Sequence, residues 1–173
     1  TMSDGQMQYY VYAENTNAGM FSPQRAEHEF YTVFAQNQVP TAGDLVINEL
    51  LADNANNQKD EYNNSSDWIE LYNNTSHVLD LSSIYLSNTL TNPLKWKFPA
   101  QTTLIPNGYL IVWADNDSMK QIFHANFNLN KDSGLLLLSN STQLLDSISF
   151  FNQTTNISFG RYPNGTGSFI PMN

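Results

Sequence analysis

The chain of 173 residues has no cysteine. Disulfides and thiolate metal sites are therefore excluded, although the compartment is not identified by that absence. Positive charge is scarce: 7 Lys and Arg stand against 16 Asp and Glu, a net charge of −9. Nucleic-acid binding needs basic side chains to displace phosphate counterions, and Lys95 and Lys97 are the only close basic pair. Nucleic acid is set aside as a partner, and attachment to an anionic membrane surface fails by the same reasoning. No apolar run reaches the roughly 18–20 residues that span a bilayer as a helix, so no membrane insertion is expected. Helical periodicity is nearly missing as well. Only Ser118–Phe123, SMKQIF, could make one or two helical turns.

What remains is rich in apolar residues (40%) and aromatics (13%), so the chain is globular rather than disordered. Its length suits one β-sandwich with a core, with room for a fragment of a neighbour. Asparagine fills the place of charge, in runs such as Asn54-Ala55-Asn56-Asn57 and Asn73-Asn74. Its short amide bonds locally to the backbone and tolerates left-handed turns.

Strand signals recur every few residues, at Gln8–Ala13, Glu27–Val33, Asp44–Leu51, Asp67–Tyr72, Ile84–Ser87, Leu94–Phe98, Tyr109–Ala114, Gly134–Ser139, Gln143–Phe150 and Ile157–Gly160. Turns at Pro106-Asn107-Gly108, Asp132-Ser133-Gly134 and Pro163-Asn164-Gly165 separate them. In DWIELYN, Ile69 and Leu71 point one way while Trp68, Glu70 and Tyr72 point the other, which is a half-buried strand. YLIVWA and LLLL are apolar on both faces and read as central strands. Many short strands at this spacing predict a sandwich. Residues 1–40 stand apart as a hairpin and linker, a candidate remnant of an upstream β-module, joined through the loop NAGMFSPQRA; residues 41–173 are the main domain. Five aromatic rings, Tyr9, Tyr10, Tyr12, Phe30 and Tyr31, predict that the hairpin packs rather than dangles.

From Leu45 to Phe169 the ordered set LVINELLADN, SDWIELYNNTSHVLDLSSIYLSN, KWKFPAQTTLIPNGYLIVWADND, FNLNKDSGLLLLSNSTQLLDSISF and ISFGRYPNGTGSF resembles the lamin tail domain family. The resemblance implies an immunoglobulin-like β-sandwich; with the strands read in residues 1–40, the fold expected is all-β, an immunoglobulin-like β-sandwich with an extra N-terminal β-hairpin. It is closest in character to the bacterial extracellular type, an accessory module of secreted or surface proteins, and it implies no catalytic residues. Residues 8–33 resemble the last strands of a fibronectin or chitobiase C-terminal module. The function expected is a non-enzymatic adhesion or accessory module with a protein or carbohydrate partner, secreted or at the cell surface, whose targeting segment lies elsewhere. The alternative is a regulatory or substrate-binding domain of a hydrolase or kinase-like enzyme with its catalytic domain outside this chain.

His77, Asp80 and Ser82 are close in sequence but carry no oxyanion element, so a solvated turn is the better reading than a triad. His28, His77 and His124 lack metal-ligand spacing. The pair Glu49 and Glu70 has no evident sugar cleft for glycoside hydrolysis. No cofactor is required. Calcium is the one metal worth naming, since it takes six to eight oxygens and the loop from Asp53 to Asp67 is long and oxygen-rich. Its candidate ligands are Glu49, Asp53, Asp67 and Glu70, against the plainer reading of a solvated acidic loop. INELL places Glu49 on the face of Ile47 and Leu51, which predicts an inward carboxylate bonded to the 53–67 loop and bracing it. Nine Asn-x-Ser/Thr sequons occur, at Asn63, Asn64, Asn73, Asn74, Asn116, Asn140, Asn152, Asn156 and Asn164. An Asn- and Ser-rich chain produces them by chance, and no N-glycan is expected.

Overall fold

The computed structural model describes residues 6–25, 29–34, 37–117, 119–120 and 122–172. The chain divides into two compact units, 1–36 and 37–173, and its described residues contain strands but no α-helix.

The first unit has four short strands rather than two. They are β1 (Gln6–Tyr9), β2 (Val11–Glu14), β3 (Gly19–Ser22) and β4 (Tyr31–Phe34). β1 pairs with β4 and β2 with β3, both antiparallel. The expected run at residues 8–13 breaks at Tyr10, and GMFS, read as loop, is a strand. The cause is the Asn15 turn: its Oδ1 accepts the Asn17 and Ala18 N–H groups and closes a tight hairpin, with Gly19 lying under the Tyr12 ring. The aromatics stack in pairs, Tyr12 on Phe21 at 4.6 Å and Tyr9 on Tyr31 at 5.4 Å between centroids. Tyr9, Tyr10, Tyr12, Phe30 and Tyr31 all stay substantially exposed. Glu27 and His28 lie outside the described residues.

The second unit is an immunoglobulin-like β-sandwich. Its first sheet has the order β12-β11-β6-β5-β15-β16, from β5 (Leu45–Leu51), β6 (Trp68–Asn73), β11 (Tyr109–Ala114), β12 (His124–Ala125), β15 (Ser158–Tyr162) and β16 (Ser168–Met172). Its second has the order β14-β13-β8-β9, from β8 (Tyr85–Ser87), β9 (Trp96–Lys97), β13 (Ser133–Ser139) and β14 (Leu144–Phe151). Two short strands, β7 (Leu79–Asp80) and β10 (Thr103–Leu104), pair separately. Among the described strands all pairings are antiparallel except β11 with β12, and the isolated bridges Gln38 to Leu79 and Ala42 to Leu45 are parallel as well.

Alternation builds the core as the sequence predicts. Ile69, Leu71, Val112 and Leu136 are fully buried in it, with Leu110 packed against it. Trp68 is buried in a separate small cluster with Leu51 and Trp113. LLLL is central, because β13 lies between β8 and β14. YLIVWA is not: past β11 stands only the two-residue β12, so Tyr109 at its open end is 48% exposed. The weak helix expected at Ser118–Phe123 is corrected too. Met119 and Lys120 lie in a turn, and Ile122 and Phe123 have positive φ, which an α-helix forbids. Gly134 passes directly beneath the Phe150 ring, where any Cβ would collide. The guanidinium of Arg161 spans the two sheets, donating to the Ile47 carbonyl and to both carboxylate oxygens of Asp146, while Asp146 accepts the Ile47 N–H.

Candidate functional site

One residue sets the geometry of the outer face of the six-stranded sheet. Between Ile47 and Glu49 the register of β5 against β6 shifts by a β-bulge. A bulge inserts an extra residue and reverses the side-chain alternation beyond it. Ile47 and Leu50 therefore both enter the core, and Glu49 leaves the face of Ile47 to stand opposite Glu70. The expectation of an inward Glu49 is wrong for that reason, because strict two-residue alternation was carried through a bulge.

The bulged residue itself, Asn48, is only 2% exposed and its amide is spent on the outer face. Asn48 Nδ2 donates to Glu70 Oε1 at 2.9 Å and to Asn164 Oδ1 at 3.3 Å, and its Oδ1 accepts the Gly165 N–H at 2.9 Å. The loop after β15 is thereby pinned down. Gly165, at φ +75°, fits against the Tyr72 ring where a side chain would not. Asn164 Nδ2 in turn donates to the Tyr109 hydroxyl at 2.7 Å, and the Tyr72 hydroxyl donates to Asn107 Oδ1 at 3.1 Å. The two rings are cross-strand partners 4.9 Å apart. Each is held at its phenol rim by an asparagine. Burial raises the pKa of Glu70, against the hydrogen bond from Asn48, and the neighbouring Glu49 raises it further.

The four acids singled out from the sequence stand as two pairs. Glu49 and Glu70 face each other across β5 and β6. Asp53 and Asp67 are near enough for the charge of one to raise the pKa of the other, although burial is the main cause at Asp67. Asp67 Oδ1 accepts the Asn54 N–H; Asp53 Oδ2 accepts from Thr155 and from Lys131 Nζ. The 53–67 loop is braced by these groups, by Asn54 Nδ2 on the Gln58 and Ser66 carbonyls, and by Asn156 Oδ1 on the Ala55 and Asn56 N–H groups. Glu49 takes no part in that bracing. Asp80 and Ser82 serve their turn: Asp80 Oδ1 accepts the Ser82 N–H, and Ser82 Oγ accepts the Gln101 N–H.

A second constellation escaped the sequence reading. Among the described residues, Asp60, Asp115 and His124 form the only group of three potential metal-ligating side chains, with ligand atoms within 4.8 Å of one another. The cation among them is the chain's own. Lys120 Nζ donates to Asp60 Oδ2 at 2.8 Å and to Asp115 Oδ2 at 2.7 Å. The buried imidazole of His124 lies between two acids, Nδ1 at 2.9 Å from Asp115 Oδ2 and Nε2 at 3.0 Å from Glu61 Oε1. Burial works to raise the Asp60 pKa, but Lys120 and the N–H groups of Asn64 and Tyr62 overcome it and hold the carboxyl at about 2. Asp115 is also lowered: burial opposes it, and Lys120 and His124 prevail.

The model of the lamin tail domain family matches residues 38–152, more than half of the chain. The chain belongs to that family. Searches of curated proteins and of solved structures give no match. The match ends within the sandwich unit, and β15 and β16 beyond it complete the six-stranded sheet. Lamin tail domains are non-catalytic immunoglobulin-like modules. In this one the sequence reading missed Asn48, Asn164, Tyr72 and Tyr109, and the Lys120 cluster. The available signal for the first set was PNGYL with YPNG, two asparagine turns flanking the tyrosine strand. For the second, no spacing rule joins residues 60, 115, 120 and 124.

Proposed function

We propose that this lamin tail domain is a non-catalytic accessory module of a secreted or cell-surface protein, and that it attaches to a neutral glycan through the outer face of its six-stranded sheet. The observation that carries the reading is the locked tyrosine platform. Sugar rings present flat C–H faces that lie on aromatic rings and hydroxyls that bond amides and carboxylates. Tyr109 supplies an exposed ring with Asn164 bonded to its hydroxyl, Asn107 bonds the neighbouring Tyr72, and Glu70 and Glu49 supply carboxylates further along the same face. Rings fixed in advance lose little freedom on binding, which favours affinity. A net charge of −9 argues against sulfated or uronic chains as ligands.

The test is a glycan array carrying neutral, N-acetylated and anionic chains. The wild-type protein is expected to bind neutral glycans, and Tyr109→Ala to weaken the signal at least tenfold while leaving the melting temperature within about 2 °C. Absence of neutral-glycan binding, or binding indifferent to Tyr109→Ala, overturns the glycan reading and leaves a protein partner as the alternative on this face.

A further inference from the structure

The group of Asp60, Asp115 and His124 has the chemistry of a divalent-cation site, two carboxylate oxygens and an imidazole nitrogen converging, a set that suits zinc better than calcium. We propose that it is such a site with its cation built in: the ammonium of Lys120 is the resident ion, and a divalent metal can take the place only when that ammonium is removed.

The geometry supports an occupant's role for Lys120 rather than that of a surface partner. Its nitrogen touches both carboxylates at hydrogen-bond length, while Asp60 is fully buried and the Lys120 side chain is 14% exposed. A buried carboxylate is costly without a counter-charge, so this pocket must hold a cation. The ligand atoms are also set by other bonds. Asp60 Oδ1 is taken by the N–H groups of Tyr62 and Asn64, and Oδ2 meets the cation at 2.8 Å, with only a long bond of 3.5 Å from Asn64 Nδ2 beside it. Asp115 Oδ1 is taken by the Asp117 N–H, leaving Oδ2 likewise. His124 is held by Glu61 at Nε2 and turns Nδ1 toward the same Asp115 oxygen. The three donors come from the β5–β6 loop, the end of β11 and β12. A cation here therefore ties three chain segments at one end of the sandwich, which is the work of a structural metal.

Lys120→Met keeps most of the stem and removes the charge. Its melting temperature is expected to fall by about 5–10 °C, and equimolar to tenfold zinc to restore at least half of the loss. Millimolar calcium should restore far less, and zinc should leave the wild-type protein unshifted. The double variant Lys120→Met with Asp115→Asn should lose the zinc response, which separates this site from adventitious binding at His77. If Lys120→Met is recovered only unfolded, refolding it with zinc must bring back the native near-ultraviolet circular dichroism. The proposal fails if Lys120→Met melts like the wild type, if zinc neither restores nor refolds it, if the double variant still responds, or if zinc stabilises the wild type as strongly as the variant.

Discussion

Asp60 and Glu70 are both carboxylates drawn out of water in one sandwich, and their pKa values are shifted in opposite directions. Asp60 is buried completely, yet its pKa is held near 2 by an ammonium and two backbone N–H groups. Glu70 is only half-buried, yet its pKa is raised, because one amide donor is set against burial and a like-charged neighbour. Depth alone does not decide the direction of the shift; the supply of donors does. The first acid is framework. The second stands half-buried on the outer face of the six-stranded sheet, the face proposed above to bind glycan.

That contrast breaks most visibly at the cluster. Asp115→Asn removes the oxygen shared by Lys120 and His124 and leaves a largely buried ammonium with a single acid. The expected loss is about 3 kcal/mol, since breaking a buried pair on one side costs roughly 3–5 kcal/mol. Urea unfolding with an unchanged m-value would measure it; a loss below about 1 kcal/mol would mean the cluster is solvated.

Asn48→Ala is expected to cost about 2 kcal/mol, because the Gly165 N–H loses its acceptor and Glu70 its donor, each a buried or half-buried group left unmet. It should also weaken neutral-glycan binding as Tyr109→Ala does, although residue 48 does not touch the ring. Unchanged binding would show that the platform does not depend on the bulge.

The fold was legible because its code is local. Ile69 and Leu71 follow two-residue alternation and fill the core as that pattern requires, and Val112 and Leu136, from runs apolar on both faces, join them there. The site was less legible because it depends on departures from the pattern. Nothing in INELL announces a bulge at Asn48, so Glu49 was assigned to the wrong face. Nothing in the spacing of Asp60, Asp115, Lys120 and His124 brings them together, because their meeting is set by how a loop and two strand ends fold over one another. Glu70 was the exception: a carboxylate alternating with Trp68 and Tyr72 is an anomaly visible in the sequence alone.

Acid titration separates the two acids. The Asp60 carboxyl has a folded pKa of about 2 against an ordinary value of 3.8, so its stabilising contribution is full above the ordinary value and is lost as pH falls through the folded one. Removing that acid by Asp60→Asn should therefore flatten the acid limb of the stability curve. Near-unchanged steepness between pH 4 and pH 2 would show that Lys120 does not hold it.

The smallest effect is the most informative about the outer face. Glu70 has its pKa raised above the ordinary 4.5, so the folded protein holds this proton more tightly than the unfolded chain does. Ionised Glu70 therefore destabilises the fold at neutral pH, and the penalty disappears as pH falls through its folded pKa toward 4.5. Glu70→Gln keeps an Oε1 that can accept from Asn48 Nδ2 and removes the repulsion from Glu49. It should be neutral to slightly stabilising at pH 7, by up to about 0.5 kcal/mol, and the gain should vanish near pH 4. The sign is opposite to that for Asp60→Asn; melting curves at pH 7 and pH 4 read the Glu70 window, and curves at pH 4 and pH 2 read that of Asp60. If Glu70→Gln instead destabilises at pH 7 by more than about 1 kcal/mol, the carboxylate is bonding something that an amide cannot replace. A sugar hydroxyl cannot explain that result in the absence of glycan, and the contrast between framework acid and binding-face acid would then collapse into two framework acids.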